Sequence, residues 1–316
     1  MKILVIRLSS LGDLVILSSV FEMLKNMSVE VHLLTYSHFA SIYEHDRRVK
    51  KILKIPKPYG IRDILNVIKT VRAMNYDFAF DLQRKLLSYL ILKASGAGEK
   101  LIYNNRRRER LRALKGKKID EIPVYELYAE PIRRALGIDK PPPCPKLEPV
   151  VADIELPEDY IVIAPGAAHR TKIWPYFSDL VKLIKNNLKE IQIVAVGDKN
   201  DSKLVEPYKK DVIDLTGKTT IRELLFVIEN SRLVISNDSA PMHIASAYNV
   251  PVIAFFGPTI PEFGFRPCNA HVFEVPLACR PCSLHGSESC PLGHFKCMRL
   301  IEPEKVFKKI EQIIKS

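Results

Sequence analysis

The segment from residue 233 to residue 259 constrains the fold more than any other stretch, because it predicts two buried strands joined by a short helix. Leu233–Ile235 is a short apolar run, and Val252–Phe256 is the next one, which is typical of strands inside a sheet. Between them lie residues that cap or begin helices, namely Asn237, Asp238, Ser239 and Pro241. This order predicts a parallel sheet with a helix starting at the carboxyl end of its strands.

A helix that starts in that place presents unpaired backbone N–H groups, which favour a phosphate or a diphosphate. Asp238 and His243 would then lie within a turn of the bound anion. In the alternative interpretation, Asp238 and Ser239 only cap the helix, and His243 packs in the interior. The segment by itself leaves both interpretations open.

Strand and helix patterns alternate along the whole chain. A buried strand is predicted at Lys2–Ile6, and a loop and a helix to about Lys25 follow it. A proline-rich stretch at 141–145 then interrupts the pattern, which restarts with a strand at Tyr160–Ala164. This alternation predicts an α/β protein with parallel sheets covered on both faces.

The length of 316 residues exceeds what one compact core usually holds, so two domains are expected. We predict two Rossmann-like domains, residues 1–147 and 148–316, whose parallel sheets face each other across a cleft. Apolar residues at helical spacing over 302–314 predict a closing helix at the end of the second domain.

The chain is basic, with 48 Lys and Arg against 36 Asp and Glu, and residues 1–150 contain the whole excess of 12. The densest clusters lie at 106–118 and at 47–57. Such clusters attract anionic lipid, an acidic glycolipid or nucleic acid, or they are solvated faces. Nucleic acid is not expected, because no nucleic-acid-binding motif accompanies the charge. No apolar run is long enough to span a bilayer and the start lacks a signal-peptide pattern, so a cytoplasmic location is expected.

Three segments together resemble glycosyltransferase family 9, the lipopolysaccharide heptosyltransferases. Arg7–Asp13 is similar to the family's Lys/Arg-x-Ser-Ser-x-Gly-Asp loop, and residues 164–175 are similar to its Pro-Gly-Ala…Lys-x-Trp-Pro stretch. Asp238–His243 is similar to its Asp-(Thr/Ser)-Gly-x-x-His run, with Ala240 in the place of the glycine. The three segments occur in the family's order.

The resemblance implies an inverting glycosyltransferase of the GT-B fold that needs no metal ion for catalysis. Its donor would be ADP-L-glycero-D-manno-heptose, and its acceptor the Kdo/heptose inner core of lipopolysaccharide on a Kdo–lipid A glycolipid. Asp13 would be the general base, since a carboxylate can take the proton of an attacking sugar hydroxyl. The donor side would be formed by Lys172, Asp201, Asp238, Ser239, Ala240 and His243, and the acceptor side by Ser9, Ser10, Gly12 and Gln83.

An acidic acceptor of this kind is held in a membrane, so we expect peripheral association with the cytoplasmic face of the inner membrane, the basic first domain facing the lipid. Two other functions stay open. One is a different nucleotide-sugar enzyme of the GT-B fold, such as an epimerase or a transferase of another sugar. The other is a basic nucleic-acid-binding module with a zinc site. In simpler interpretations, Asp13 only favours the positive end of its helix and Lys172 is a surface charge.

Four cysteines near the end of the chain form a separate pattern over residues 279–297. Cys279, Cys282, Cys290 and Cys297 are separated by two, seven and six residues, with His285 and His294 among them. Four thiolates, or three with an imidazole, suit a structural zinc ion. Disulfides and free thiols are the alternatives.

Overall fold

The computed structural model describes residues 1–315 and divides the chain into two compact units. The first unit consists of Met1–Asn105 and Pro123–Glu148, and the second of Arg106–Ile122 and the residues from Pro149 onward. Ser316, the last residue of the predicted second domain, lies outside the described residues.

This division differs from the predicted continuous domains, because residues 106–122 leave the first domain and join the second unit. Arg266 Nε lies 2.9 Å from a carboxylate oxygen of Glu121, and the Arg110 guanidinium lies 5.2 Å from the centre of the Phe265 ring. The segment carries eight basic and three acidic residues. The excess of basic residues is therefore seven in the first unit and five in the second, and it is not confined to the first as the sequence order suggested.

The first unit contains a five-stranded parallel sheet in the order β3-β2-β1-β4-β5. Its strands are β1 (Lys2–Ile6), β2 (Glu30–Tyr36), β3 (Lys51–Ile55), β4 (Phe78–Asp81) and β5 (Glu99–Ile102). Its helices are α1 (Leu11–Leu24), α2 (Ile61–Ala73), α3 (Leu86–Ala94) and α5 (Val124–Leu136), and α4 (Arg107–Ala113) lies in the segment that joins the second unit. The central strand β1 is buried on both faces from Ile3 to Ile6, as its continuous apolar run predicted.

The second unit contains a six-stranded parallel sheet in the order β11-β10-β9-β6-β7-β8. Its strands are β6 (Tyr160–Ala164), β7 (Gln192–Ala195), β8 (Ile213–Asp214), β9 (Val234–Asn237), β10 (Val252–Phe256) and β11 (Ala270–Glu274). The helices after residue 149 are α6 (Phe177–Asn187), α7 (Ser202–Val205), α8 (Ile221–Glu229), α9 (Ala240–Ala247), α10 (Lys296–Arg299) and α11 (Pro303–Lys315).

The predicted α/β class with parallel sheets is confirmed. The helix predicted at 302–314 is α11, and its buried residues Val306 and Ile310 belong to the same core as Ile184 of α6. Trp174 lies in that core, with its ring 4.4 Å from Phe255 and its indole N–H donating to the carbonyl of Ile301 at 3.0 Å. In the described part of the chain, every helix is too short or too polar to cross a bilayer.

Candidate active site

Asp13 is fixed at the third position of α1 by the residues just before it. β1 ends at Ile6, and the chain turns into the helix through Ser10, whose backbone is extended. The carboxylate oxygen Oδ2 of Asp13 accepts bonds from the Ser10 N–H at 3.1 Å and from the Ser10 hydroxyl at 2.8 Å. A carboxylate three residues beyond the cap is the expected reciprocal partner at a helix start, so the local sequence alone orients this side chain.

Two further side chains hold the same carboxylate. Arg7 Nη2 lies 2.6 Å from Asp13 Oδ2, and the Tyr128 hydroxyl donates to Oδ1 at 2.8 Å. Tyr128 comes from α5, and the Arg7 guanidinium lies 5.0 Å from the centre of its ring while also donating to the carbonyl of Leu82. The aspartate side chain nevertheless keeps 18% of its surface exposed, against 7% for Arg7.

These contacts decide the charge of Asp13. Burial alone would raise its pKa, but the charge of Arg7 and the bonds from Ser10 and Tyr128 outweigh burial and hold the pKa at about 2. Burial raises the pKa of Tyr128 well above its ordinary value, so its hydroxyl stays protonated and donates. Asp13 is therefore an ionised, partly exposed acceptor at neutral pH. It can take a proton from a hydroxyl group whose acidity rises as the oxygen forms a new bond.

The residues predicted on the acceptor side lie around the same loop. The amide oxygen of Gln83, which follows β4, accepts the backbone N–H groups of Leu8 and Ser9 at 2.9 and 3.0 Å. The Ser10 hydroxyl donates to Asp13, and Gly12 is buried in the first turn of α1. In this structure, Gln83 and Ser10 hold the loop that carries the carboxylate, and contact of these residues with an acceptor stays a prediction.

In the second unit, Lys172 and Asp238 form a largely buried ion pair. Lys172 ends a short 3-10 turn after β6, and Asp238 follows β9 directly. The ammonium nitrogen lies 2.6 Å from Asp238 Oδ2 and donates to the Asp238 carbonyl at 3.2 Å. The Thr259 hydroxyl donates to the same carboxylate oxygen at 2.8 Å. Lys172 is thus a fixed cation beside the start of α9, and the interpretation as an unattached surface charge is wrong.

Asn237 at the end of β9 explains how the loop of Lys172 reaches this place. Its amide nitrogen donates to the carbonyls of Pro165 and Gly166 at 2.7 and 3.3 Å, and its amide oxygen accepts the backbone N–H of Trp174 at 3.0 Å. The side chain is fully buried, so these bonds have no competition from water. One asparagine therefore ties both ends of the segment that contains Lys172 to the strand that precedes Asp238.

Helix α9 starts one residue earlier than the sequence predicted, because Ala240 is its first residue and Pro241, expected at the first position, is its second. Ser239 has extended backbone, and its hydroxyl lies 3.2 Å from that of Ser236; among the described residues, it makes no capping bond to the helix. His243 is buried one turn later, with its ring 6.4 Å from that of Phe265. The capping interpretation of Ser239 therefore finds no support in its contacts.

Asp201 lies against the ends of two neighbouring strands. Its carboxylate accepts the backbone N–H of Asp198 at 2.8 Å. A methyl group on Gly166 would come within 2.2 Å of this carboxylate, and one on Gly197 within 2.6 Å, so the two glycines leave the space that the Asp201 side chain occupies. Burial raises the pKa of Asp201, and the charge of Asp198 acts in the same direction. The contact with a ribose hydroxyl predicted for Asp201 stays a prediction.

The four cysteines of segment 279–297 are free thiols in one neighbourhood. Burial raises the pKa of Cys282, and the charges of Cys290 and Cys279 raise it further; Cys279 Sγ lies 3.9 Å from His294 Nε2. Burial raises the pKa of Cys297 to about 11. Across residues 1–315, however, no three His, Cys, Asp or Glu side chains are placed to hold a metal ion. The donor set suits zinc in kind but not in arrangement, so the metal site stays a prediction that metal analysis of chelator-free protein tests.

Sequence reasoning missed several residues that build these two centres. Tyr128 is 115 residues from Asp13 in the chain, so no local pattern could connect them. Thr259 is the last residue of the segment that predicted the anion site. Its position shortly after a predicted buried strand could have indicated that it lies near Asp238. Arg7 was part of a motif, but its role as the partner of Asp13 depends on the geometry of the loop.

The model of glycosyltransferase family 9 (heptosyltransferase) matches residues 64–296 of this chain. Lipooligosaccharide heptosyltransferase 2 of Campylobacter jejuni subsp. jejuni serotype O:6 is 40% identical over 104 residues, which are 32% of this chain and 32% of that protein. The match to this relative thus spans about a third of its length. Lipopolysaccharide heptosyltransferase 1 of Campylobacter coli is 27% identical over 295 residues, 82% of this chain and 84% of that protein.

The fold is also found among solved structures. The Escherichia coli heptosyltransferase WaaC with ADP superposes with a TM-score of 0.73 at 19% identity, covering 99% of this chain and 100% of that one. This likeness, together with the two parallel sheets, confirms the predicted GT-B fold class.

Proposed function

The chain belongs to glycosyltransferase family 9, the heptosyltransferases, and from this premise we propose that it moves heptose from ADP-L-glycero-D-manno-heptose to the Kdo/heptose inner core of lipopolysaccharide. Both charged centres described above suit such a transfer. The observation that carries the proposal is the Lys172 ammonium, fixed by Asp238 at the start of α9. A transferase of this kind must stabilise a departing nucleoside diphosphate, and a fixed cation beside a helix start does so.

On the donor side, Lys172 offsets the negative charge that builds on the departing ADP. The first turn of α9, with Asp238, Ser239, Ala240 and His243 around it, holds the diphosphate, and Asp201 contacts the ribose. The ADP in the WaaC structure supports an adenine nucleotide as the donor. Because Lys172 supplies the positive charge, we propose that the transfer needs no metal ion at the reaction centre.

On the acceptor side, Asp13 takes the proton of the attacking hydroxyl as that oxygen bonds to the anomeric carbon. The bond to ADP breaks from the opposite face of the sugar, and its electron pair leaves with the diphosphate. Arg7 and Tyr128 keep the carboxylate charged and oriented before the reaction, so the base does not have to reorganise. A single displacement of this kind inverts the anomeric configuration.

We further propose peripheral association with the cytoplasmic face of the inner membrane, through α3. One side of this helix exposes three large apolar residues at helical spacing, namely Leu86 at 75%, Tyr89 at 42% and Leu90 at 48%. Exposed basic residues flank them, namely Arg84, Lys85 and Lys93, and residues 82–98 contain no Asp or Glu. Apolar residues bordered by cations suit an anionic lipid surface.

Co-sedimentation with lipid vesicles tests the membrane proposal. We expect binding to vesicles of phosphatidylglycerol and phosphatidylcholine, and much weaker binding to phosphatidylcholine alone. Leu86→Ser with Leu90→Ser should weaken it about tenfold, whereas Leu65→Ser, an equally apolar and 57% exposed position on α2, should not. Equal loss in both variants would contradict a role of α3 in particular.

Product analysis tests the transfer itself. The enzyme is incubated with ADP-heptose and Kdo–lipid A acceptors with and without a first heptose, and the glycolipids are analysed by mass spectrometry. The proposal predicts addition of one heptose to one of these acceptors. Transfer only from other nucleotide sugars, or release of an altered sugar without any acceptor, would contradict it and indicate another nucleotide-sugar enzyme.

A further inference from the structure

The Cys-rich segment 279–297 has an arginine at its start that binds a neighbouring loop. The side chain of Arg280 is 5% exposed and lies between Cys279 and Cys282 in the sequence. Its guanidinium donates to three carbonyl oxygens at the end of β10 and in the loop that follows, those of Phe256, Gly257 and Thr259. The backbone N–H of Cys282 donates to the fourth, that of Pro258, at 3.0 Å. Residues 280–282 thus hold the carbonyls of four successive residues, 256–259.

The same guanidinium also binds the last residue of β11 and the residue after it. It donates to the carbonyl of Val275 at 2.6 Å and lies 2.9 Å from a carboxylate oxygen of Glu274. A planar guanidinium can serve several acceptors in fixed directions, which a lysine ammonium cannot. Arg280 therefore fixes the loop 256–259 relative to the neighbouring strand.

That loop carries a direct contact to the proposed donor site. The Thr259 carbonyl accepts from Arg280 at 3.0 Å, and the Thr259 hydroxyl donates to Asp238 Oδ2 at 2.8 Å. The same oxygen lies 2.6 Å from the Lys172 ammonium. A continuous chain of contacts thus runs from Arg280 through Thr259 and Asp238 to Lys172.

The segment also contacts the loop of Lys172 from its other end. The Ser287 carbonyl accepts the backbone N–H and the hydroxyl of Thr171 at 3.0 and 2.8 Å, and the Ser287 N–H donates back to that hydroxyl at 2.8 Å. Gly286 has a φ of +96°, and a methyl group there would come within 2.8 Å of His169 Cβ and 3.2 Å of Lys172 Cγ. Residues 280–287 therefore contact the loop that carries Lys172, and they contact the loop 256–259, whose Thr259 binds Asp238.

We infer that residues 280–287 act as a clamp on the Lys172–Asp238 pair and that Arg280 is a positioning residue for donor binding. Arg280 acts through Thr259 and Asp238, and it sets where the Lys172 ammonium meets the diphosphate. The identity of the ligand rests on the proposed function, whereas the clamp itself concerns only the contacts within the second unit. This gives the Cys-rich segment a role in binding that does not depend on a metal ion.

Hydrogen–deuterium exchange of Arg280→Gln tests the clamp without any ligand. We expect faster amide exchange in residues 256–260 and 170–173 than in the wild type. The matched control is Arg232→Gln, because Arg232 also binds a carboxylate, Asp159 at 3.0 Å, and a carbonyl, Ile314 at 2.9 Å, but precedes β9 at the opposite end of that strand. The control should leave both segments protected. Unchanged protection of both segments in Arg280→Gln would overturn the inference.

Calorimetric titration with ADP extends the test to binding. Arg280→Gln should weaken ADP binding about tenfold, as expected for loss of charged hydrogen bonds, and Arg232→Gln should leave it unchanged. In turnover, Arg280→Lys should raise the KM for the donor and leave the KM for the acceptor unchanged, a split that mere loss of stability does not produce. A wild type that fails to bind ADP would count against the proposed function, while amide exchange would still decide on the clamp.

Two milder variants cover the case in which Arg280→Gln does not fold. Thr259→Val and Thr171→Val each remove one hydroxyl from one arm of the clamp and keep the shape of the side chain. Each should weaken ADP binding by a few-fold, about the effect of one hydrogen bond. With Arg280→Lys and Thr259→Val combined, the effects should be less than additive, because both act through Asp238. Fully additive effects, or no effect of either valine, would contradict the chain of contacts.

Discussion

The charged pairs of the two centres, Arg7–Asp13 in the first unit and Lys172–Asp238 in the second, are built from similar residues but differ in which member is the more exposed. Each joins a cation and an aspartate at a helix start, with 2.6 Å between the charged atoms. In the first pair, the aspartate is the more exposed member, at 18% against 7% for the arginine. In the second pair, the lysine is the more exposed member, at 13% against 9% for the aspartate.

This difference indicates which charge each centre can offer to a ligand. Arg7 is committed to Asp13, to the Leu82 carbonyl and to the ring of Tyr128, so the first centre offers a carboxylate. Asp238 is committed to Lys172 and Thr259, so the second centre offers an ammonium group. A base and an anion-binding cation are the two charges that transfer from a nucleotide sugar requires.

The largest expected effect is that of Asp13→Asn. An amide cannot take the proton, so kcat should fall about a thousandfold, within the range for loss of general-base catalysis, while the affinity for ADP should not change. Discontinuous transfer assays measure kcat, and calorimetric titration measures the affinity for ADP. The control is Asp63→Asn, because Asp63 occupies the same third position in α2 and caps the Gly60 N–H at 2.7 Å. A variant of Asp13 that keeps a tenth or more of the activity would contradict its role as base.

Lys172→Met should have the next largest effect, on binding instead of on acid–base chemistry. Loss of the ammonium should weaken ADP binding roughly a hundredfold and leave the KM for the acceptor unchanged. Lys182→Met is the control, because Lys182 also pairs with an aspartate, Asp179 at 3.5 Å, but on the exposed surface of α6. If the two variants bind ADP equally well, the second centre does not hold the donor.

A smaller effect is expected on the pH dependence of kcat/KM when Tyr128, a partner of Asp13, is changed. The pKa of Asp13, about 2, is below its ordinary value of 3.8, so this carboxylate stabilises the fold above pH 3.8, and the contribution is lost as the pH falls towards 2. Tyr128→Phe removes one bond that lowers the pKa, and the acid limb of kcat/KM should move up by about half a pH unit.

The matched control for this shift is Tyr160→Phe, which removes a tyrosine bond to the Val227 carbonyl in the second unit. This variant should leave the acid limb of the kcat/KM profile at the same pH as in the wild type. A downward shift of the limb in Tyr128→Phe, or equal shifts in both variants, would contradict the assignment of this limb to Asp13.

The smallest expected effect concerns Ala240, which stands where the family pattern has glycine. Its position at the start of α9 needs no positive φ, so Ala240→Gly should change ADP affinity by less than about threefold and lower stability by at most about 1 kcal/mol. Calorimetry and thermal unfolding measure both. A tenfold gain in affinity would show instead that the methyl group keeps the diphosphate away.

Most of the correct predictions of strands, helices and site residues came from short segments of the sequence. Asp13 lies in the first turn of the helix after β1, and Asp238 lies between β9 and the next helix, so one strand–loop–helix pattern placed both near the carboxyl ends of buried parallel strands. The local cap also placed the Asp13 carboxylate, since Ser10 is only three residues away.

Partners from distant parts of the chain could not be predicted in this way. Tyr128 reaches Asp13 only because α5 packs on α1, and Arg280 reaches the loop after β10 through the fold of the Cys-rich segment. The segment 106–122 joins the second unit through side-chain contacts such as Arg266–Glu121, which lie 145 residues apart and leave no periodic pattern. The predicted difference in charge between the two domains is smaller in the structure because this basic segment belongs to the second unit.

The anomeric configuration of the wild-type product tests the central claim, a carboxylate base in one unit and a donor cation in the other. The glycolipid formed from ADP-heptose and a Kdo–lipid A acceptor is purified, and its new linkage is analysed by NMR spectroscopy. We predict a single added heptose whose anomeric configuration is opposite to that in the donor, because Asp13 acts as base in one displacement. A retained configuration would contradict this role of Asp13 and require a covalent or front-face route.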